Sequence, residues 1–337
     1  MENKTFIIAE LSANHNNDLQ LAKDTIYAMK ESGADAVKFQ TFTADSMTLN
    51  IDGKDFEANP KGAWAGRKLY DLYQETSLRY DWQIELSNYA LSLGIQWFSS
   101  PFDFKAVDFL ESINCPIYKI ASFEILDIPL IEYAASKGKP MIISTGIAIE
   151  EDIKLAIETC KKVGNNDITI LKCTSAYPAP YNEINLNVIP ALKEKFNVKV
   201  GLSDHTMGSI VPLGAVSLGA RVVEKHFILD RKLGGADSSF SMNPEEFTFM
   251  VKGIRQLEQA LGTSSLEISD ESKIARERGR SLYVSQDVKK GDFITKENIR
   301  SIRPAYGLHP KYYQEVLNKT FKKDIKKGTP LSFELIN

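Results

Sequence analysis

Apolar residues in the first three-quarters of the chain fall into two alternating patterns. Short runs rich in β-branched residues recur at 5–12, 36–41, 96–100, 117–121, 140–144, 168–173, 199–203 and 221–226. Between them lie stretches such as 19–32, 82–93 and 149–163, with apolar positions three and four residues apart, which is helical spacing. Near-continuous apolar strands separated by helices predict a parallel sheet buried on both faces. Eight such units in about 260 residues fit a closed (β/α)8 TIM barrel. The competing arrangement is an open doubly wound sheet. Polar or titratable residues end nearly every strand, as a ring of active-site loops demands, and this favours the barrel.

One connection is too long for a turn. Residues 42–80, after the second strand, are rich in Gly, Trp, Tyr and charge, and long insertions at that place are usually lids or binding loops. Trp64, Arg67, Tyr70 and Tyr73 could cover a sugar or simply pack the lid onto the barrel. A helix over 244–261 closes the first domain, 1–262. Residues 263–280 are polar and charged and read as a linker. The last part, 281–337, has short strand-like runs and carries a repeat, Asp287-Val-Lys-Lys-Gly against Asp324-Ile-Lys-Lys-Gly. Two similar copies predict a small β-rich module with pseudo-two-fold symmetry. So small a module has little core of its own.

Composition narrows the function classes. With 337 residues and a net charge of -3, the chain shows no whole-chain signature of nucleic-acid binding. No apolar run is long enough to cross a bilayer, and the first residues lack a signal-peptide pattern. Cys115, Cys160 and Cys173 are odd in number and widely spaced, with no CxxC. Free, buried thiols in a cytoplasmic protein are the simplest account. Cys173, near a strand end, is a minor candidate nucleophile.

The chain has four histidines, and two of them, His205 and His226, end consecutive predicted strands. Neighbouring strands would set these imidazoles side by side at the rim where such barrels keep their chemistry. That makes a plausible divalent-metal site. By alternation, Gly201, Ser203 and His205 share a face, as do Glu224 and His226, and Lys38 and Gln40. Two lysines pointing into a barrel, Lys38 and Lys119, are costly to bury alone. Few inward carboxylates are evident near them, so a bound anion is the expected counter-charge, with serine hydroxyls as added donors. Two enzyme readings stay open at this point. One is an anionic substrate held by the lysines beside a metal; the other is a Schiff-base aldolase.

At these residues the chain resembles the sialic acid (nonulosonic acid) synthase family. The matching elements are Glu10-x3-Asn14-His15, Lys38-x-Gln40, Ser100-Pro101-Phe102, Tyr118-Lys119-Ile120-x-Ser122-x-Glu124, Tyr177-Pro178, Gly201-Leu-Ser-Asp-His-Thr206, Glu224-Lys-His-Phe227 and Ser241-Met-Asn-Pro244. The C-terminal part looks like the family's antifreeze-like (SAF) domain. Segments 66–73, 98–103 and 172–178 look most like the family's pseudaminic acid branch, whose acceptor is 2,4-diacetamido-2,4,6-trideoxy-L-altrose. Ser175 stands where N-acetylneuraminate synthases usually carry Asn, which argues against N-acetylmannosamine; a legionaminic acid synthase is a third possibility.

The resemblance implies a phosphoenolpyruvate-dependent condensation. It implies that His205 and His226 bind Mn2+ or Mg2+, and that Lys38, Lys119, Ser100, Ser122, Ser175 and Ser203 surround phosphoenolpyruvate. Gln40, Tyr177 and Asp237 would contact the amino-sugar. Glu10 would accept a proton or position water, work that Glu124 and Asp237 could share. Arg303 would reach the sugar in a neighbouring subunit, implying a domain-swapped homodimer. An ice-binding role, suggested only by relatives of the small module, fits poorly with its many lysines.

Overall fold

The computed structural model describes residues 4–60 and 64–337. The first three residues and residues 61–63, inside the long insertion, lie outside the described residues. The chain divides into two compact units, 1–262 and 263–337.

In the first unit, eight parallel strands close a barrel in sequential order. They are β1 (Phe6–Glu10), β2 (Ala36–Thr41), β3 (Gln96–Pro101), β4 (Tyr118–Ile120), β5 (Met141–Ser144), β6 (Ile168–Cys173), β7 (Lys199–Asp204) and β8 (Val222–His226). Helices Leu19–Glu31, Tyr80–Ser92, Glu150–Lys162 and Pro244–Leu261 are among those that wrap it. Nearly every strand residue is buried because helices cover one face and barrel neighbours fill the other. This explains why the strands read as apolar runs rather than as alternations.

Register then decides what points inward. Glu10 pairs with Lys38 on one side and His226 on the other. Ser203 lies opposite Cys173 and Glu224. Gly201 sits one step deeper, where an added Cβ would come 2.5 Å from the Val222 carbonyl and 2.6 Å from Leu171 Cδ2. Only the smallest side chain lets β6, β7 and β8 approach so closely. The last helix is started by a capping box. Asn243 Oδ1 accepts from the Glu246 N–H at 2.9 Å, and Glu246 accepts from the Asn243 N–H at 3.0 Å, with Pro244 at the first turn, where its missing N–H costs nothing.

The segment expected as a linker has local structure of its own. Residues 263–280 include a helix, Asp270–Arg276, capped by Ser269. Its acidic first turn and basic last turn suit the helix dipole. Beyond it, β9 (Ser281–Val284) pairs antiparallel with β10 (Ile299–Ile302) around a core that includes Leu282, Ile294, Phe321 and Leu331. The two repeat copies grip each other reciprocally. Lys289 bonds Asp324 and Lys326 bonds Asp287, each at 2.8 Å. The backbone N–H groups of Lys290 and Lys327 donate to the same two carboxylates.

Candidate active site

The inward residues at the C-terminal ends of the strands surround a cavity of about 370 Å³. Glu10, Lys38, Gln40, Lys119, Ser122, Glu124, Tyr177, Ser203, His205, His226 and Asp237 all line it. Ser100 is fully buried beside it on β3. Ser175 lies one layer back, its hydroxyl 2.7 Å from that of Ser122. Arg303 belongs to the other unit, just past β10. His15, part of the first motif, contacts the Thr76 carbonyl of the insertion at 3.3 Å.

The two imidazoles stand with ring centroids 5.3 Å apart. His205 Nδ1 lies 3.0 Å from the Thr174 carbonyl, which can only accept, so that nitrogen is the donor and the ring is oriented with Nε2 away from this bond. His226 Nε2 lies 3.2 Å from Glu10 Oε2. Its Nδ1 is buried without a hydrogen-bond partner, 3.7 Å from Asp237 Oδ2. A metal bound here fits that donor set: two oriented imidazoles, one with an orphaned nitrogen facing a carboxylate. Among the described residues no group of three or more His, Cys, Asp or Glu forms a ready ligand set. An ion held by this pair would therefore keep positions open for substrate and water, as catalytic sites do.

The lysines correct an expectation. Lys38 Nζ lies 2.8 Å from Glu224 Oε1 and 3.0 Å from Glu10 Oε1. Lys119 Nζ lies 3.7 Å from Glu224 Oε1, and Ser203 donates to the same oxygen at 3.2 Å. Two inward carboxylates thus supply the counter-charge expected of a bound anion. The signal for Glu224 was present, since it shares a face with His226. What the sequence lacked was the register that puts β8 and β2 on either side of β1, one strand apart.

These charges tune one another. Burial would raise the Glu10 carboxyl, but Lys38, His226 and the Gln40 amide reverse this and hold it well below the usual carboxylate range. Burial works against a charged Lys38, and Glu10 with Glu224 overcomes it, so its pKa is raised. Burial lowers Lys119, against the pull of Glu224. Burial pushes Glu124 up to about 7. Cys173, facing the cavity beside His205 and Ser203, is lowered; burial opposes the shift and hydrogen bonding to His205 drives it.

Several buried polar atoms at this mouth have no partner: the Ser100 and Ser144 hydroxyls, one oxygen each of Glu124 and Glu224, and His226 Nδ1. Such atoms are uncommon in folded proteins and costly. Their clustering marks a place built to bind something polar. Ser144, at the end of β5, was not singled out from sequence.

The insertion forms the outer wall. Trp64 Nε1 donates to the Ala236 carbonyl at 2.9 Å and its ring lies 5.7 Å from Tyr177, which lies 4.4 Å from His205. Tyr73 packs on Phe42, and Phe42 on Phe102. Arg67 and Tyr70 instead pair with Glu75 and Asp45 at the surface. Two of the four aromatic or cationic lid candidates therefore face the cavity.

Comparison with known proteins agrees with this architecture. Residues 25–265 match the NeuB family and residues 279–337 match the SAF domain. Pseudaminic acid synthase of Helicobacter pylori is 49% identical over 327 residues, covering 97% of this chain and 96% of that one. N,N'-diacetyllegionaminic acid synthase of Legionella pneumophila is 40% identical over 336 residues, covering 98% and 94%. The crystal structure of an N-acetylneuraminic acid (sialic acid) synthetase from Leptospira borgpetersenii, in complex with citrate, superimposes with a TM-score of 0.72 at 32% identity, covering 81% of this chain and 90% of that one. From barrel to C-terminal module, the chain belongs to the NeuB family.

Proposed function

We propose that the protein condenses phosphoenolpyruvate with 2,4-diacetamido-2,4,6-trideoxy-L-altrose and water, giving pseudaminic acid and inorganic phosphate. The observation that carries the reading is the meeting of two buried ammonium groups with an oriented imidazole pair at one mouth. Identity to a pseudaminic acid synthase, nine points above that to the legionaminic enzyme (49% against 40%), selects the branch.

Lys38, Lys119 and the hydroxyls of Ser100, Ser122, Ser175 and Ser203 hold the carboxylate and phosphate of phosphoenolpyruvate, with Ser144 as a further donor. Glu10 and Glu224 hold the two ammonium groups in place before substrate arrives, so little reorganisation of those donors is left for the reaction. His205 and His226 would hold a divalent metal, Mn2+ or Mg2+, which would supply Lewis acidity to the sugar aldehyde. Gln40, Tyr177, Asp237 and, from a partner subunit in a domain-swapped homodimer, Arg303 orient the acceptor chain. Carbon three of phosphoenolpyruvate attacks the aldehyde, and water adds to the cationic carbon two. Glu10, kept ionised by Lys38, positions that water, and Glu124, lifted to about 7 by burial, takes its proton. The tetrahedral centre then expels phosphate by C–O cleavage. We place this work in the cytoplasm; among the described residues no helix is long and apolar enough to cross a membrane.

The depressed Lys119 is the group a Schiff-base aldolase would use; borohydride trapping with a carbonyl substrate is expected to leave no adduct there. The deciding experiment is a panel of hexose acceptors with phosphoenolpyruvate and Mn2+, recording phosphate release and product mass. Preference for N-acetylmannosamine would overturn the acceptor, and full activity in strong chelator would overturn the metal.

A further inference from the structure

Two motif residues have no part in the chemistry above. Asp204 and Lys225 lie opposite each other in the β7–β8 register, on the strand faces turned away from the cavity. Both are almost wholly buried, at 3% and 1% exposure. Lys225 Nζ bonds Asp204 Oδ2 at 2.9 Å and also the Thr206 carbonyl. Asp204 in turn accepts from the Thr206 N–H at 3.0 Å and the Thr206 hydroxyl at 2.9 Å.

The residues locked together are the immediate neighbours of the imidazoles. Asp204 and Thr206 flank His205, and Lys225 precedes His226. Each histidine is tied once more through its own carbonyl, to the Ala179 and Met242 N–H groups. A buried ion pair is a poor stability device, because desolvation offsets most of its attraction and apolar replacements are often as stable. What it supplies here is a fixed spacing between two strand ends.

We propose that Asp204 and Lys225 are positioning residues whose ion pair, outside the cavity, sets the separation and orientation of His205 and His226 and so the affinity for the divalent metal. This rests on the reading of the histidines as metal ligands. Partners that orient a metal's ligands typically cost about 10–100-fold in affinity when removed.

The test uses the full chain stripped of metal. Mn2+ binding is followed by electron paramagnetic resonance of the free ion, and imidazole resonances by NMR, where the chain has four histidines to resolve. Lys225→Met and the charge-balanced pair Asp204→Asn with Lys225→Met should bind Mn2+ about 10–100-fold more weakly, with Lys225→Arg restoring part of the loss. In metal-free protein the His205 and His226 signals should shift and broaden while those of His15 and His309 stay. Asn165→Ala serves as the control for lost stability. It removes bonds to the Ala135 and Lys139 carbonyls, before the start of β6 and so at the far end of the barrel. It should leave Mn2+ affinity unchanged. Wild-type affinity in the balanced pair, or equal weakening in Asn165→Ala, overturns the proposal. Should the wild type bind no Mn2+, the metal reading falls with its affinity claim; unperturbed His205 and His226 signals in Lys225→Met would then reject positioning as well.

Discussion

Glu124 gives the most exacting test of the site's electrostatics. Its carboxyl has one buried oxygen without a partner, and burial lifts its pKa from 4.5 to about 7. A carboxyl raised in the folded state binds its proton more tightly there than in the unfolded chain. Its contribution to stability is intact below pH 4.5 and is lost as the pH rises through 7. With those two values, the loss grows from about 1.4 kcal/mol at pH 5.5 to about 3.4 kcal/mol at pH 8.5, a change of about 2 kcal/mol. Partial access of water to the carboxyl reduces this to about 1–2 kcal/mol.

Other groups titrate in the same interval, so the useful quantity is a difference. Glu124→Gln does not ionise, and whatever its fixed cost, that cost is the same at both pH values. Calorimetry of wild type and Glu124→Gln at pH 5.5 and 8.5 should show the variant gaining on the wild type. For a unit of this size the relative gain in Tm is about 2–4 °C. A difference that is flat with pH, or that falls as pH rises, would refute the assignment of a protonated, desolvated Glu124.

Three further outcomes follow from distances in the site. Glu224→Gln removes the carboxylate nearest both lysines and should cost about 3 kcal/mol without ligand; phosphoenolpyruvate should then raise Tm more than it does in wild type. Gly201→Ala places a methyl against the Val222 carbonyl and Leu171 and should cost about 1–3 kcal/mol, read by thermal unfolding. Burial raises the thiols of Cys115 and Cys160 to about 12, whereas Cys173 is lowered. Iodoacetamide followed by peptide mass spectrometry should therefore label Cys173 first, with phosphoenolpyruvate slowing the reaction.

Much of the barrel was legible because a doubly covered parallel strand must be apolar along its whole length. The eight runs needed no tertiary information to be seen, and their ends were off by a residue or two, where hydrogen bonding rather than hydropathy decides. The helix inside the 263–280 segment went unread for the opposite reason. The helix at 270–276 is exposed throughout, so it has no apolar stripe to announce it, and its signal is the Ser269 cap and the order of its charges.

The site was legible only where alternation within one strand sufficed. That rule puts Lys38 beside Gln40 and Glu224 beside His226, but it cannot say that Glu224 reaches across to Lys38. Two ammonium groups and two carboxylates balance before any ligand arrives, so a dianion must compete with Glu10 and Glu224 for the same donors. Such a site binds anions less tightly than bare lysines would, yet holds its lysines in place while empty. Preorganisation is what catalysis requires, since only interactions stronger in the transition state than in the ground state raise the rate. The same strands turn Asp204 and Lys225 outward to brace the imidazoles. In β7 and β8 consecutive residues thus divide into those that line the cavity and those turned away from it, and a sequence motif such as Ser203-Asp204-His205-Thr206 records both without separating them.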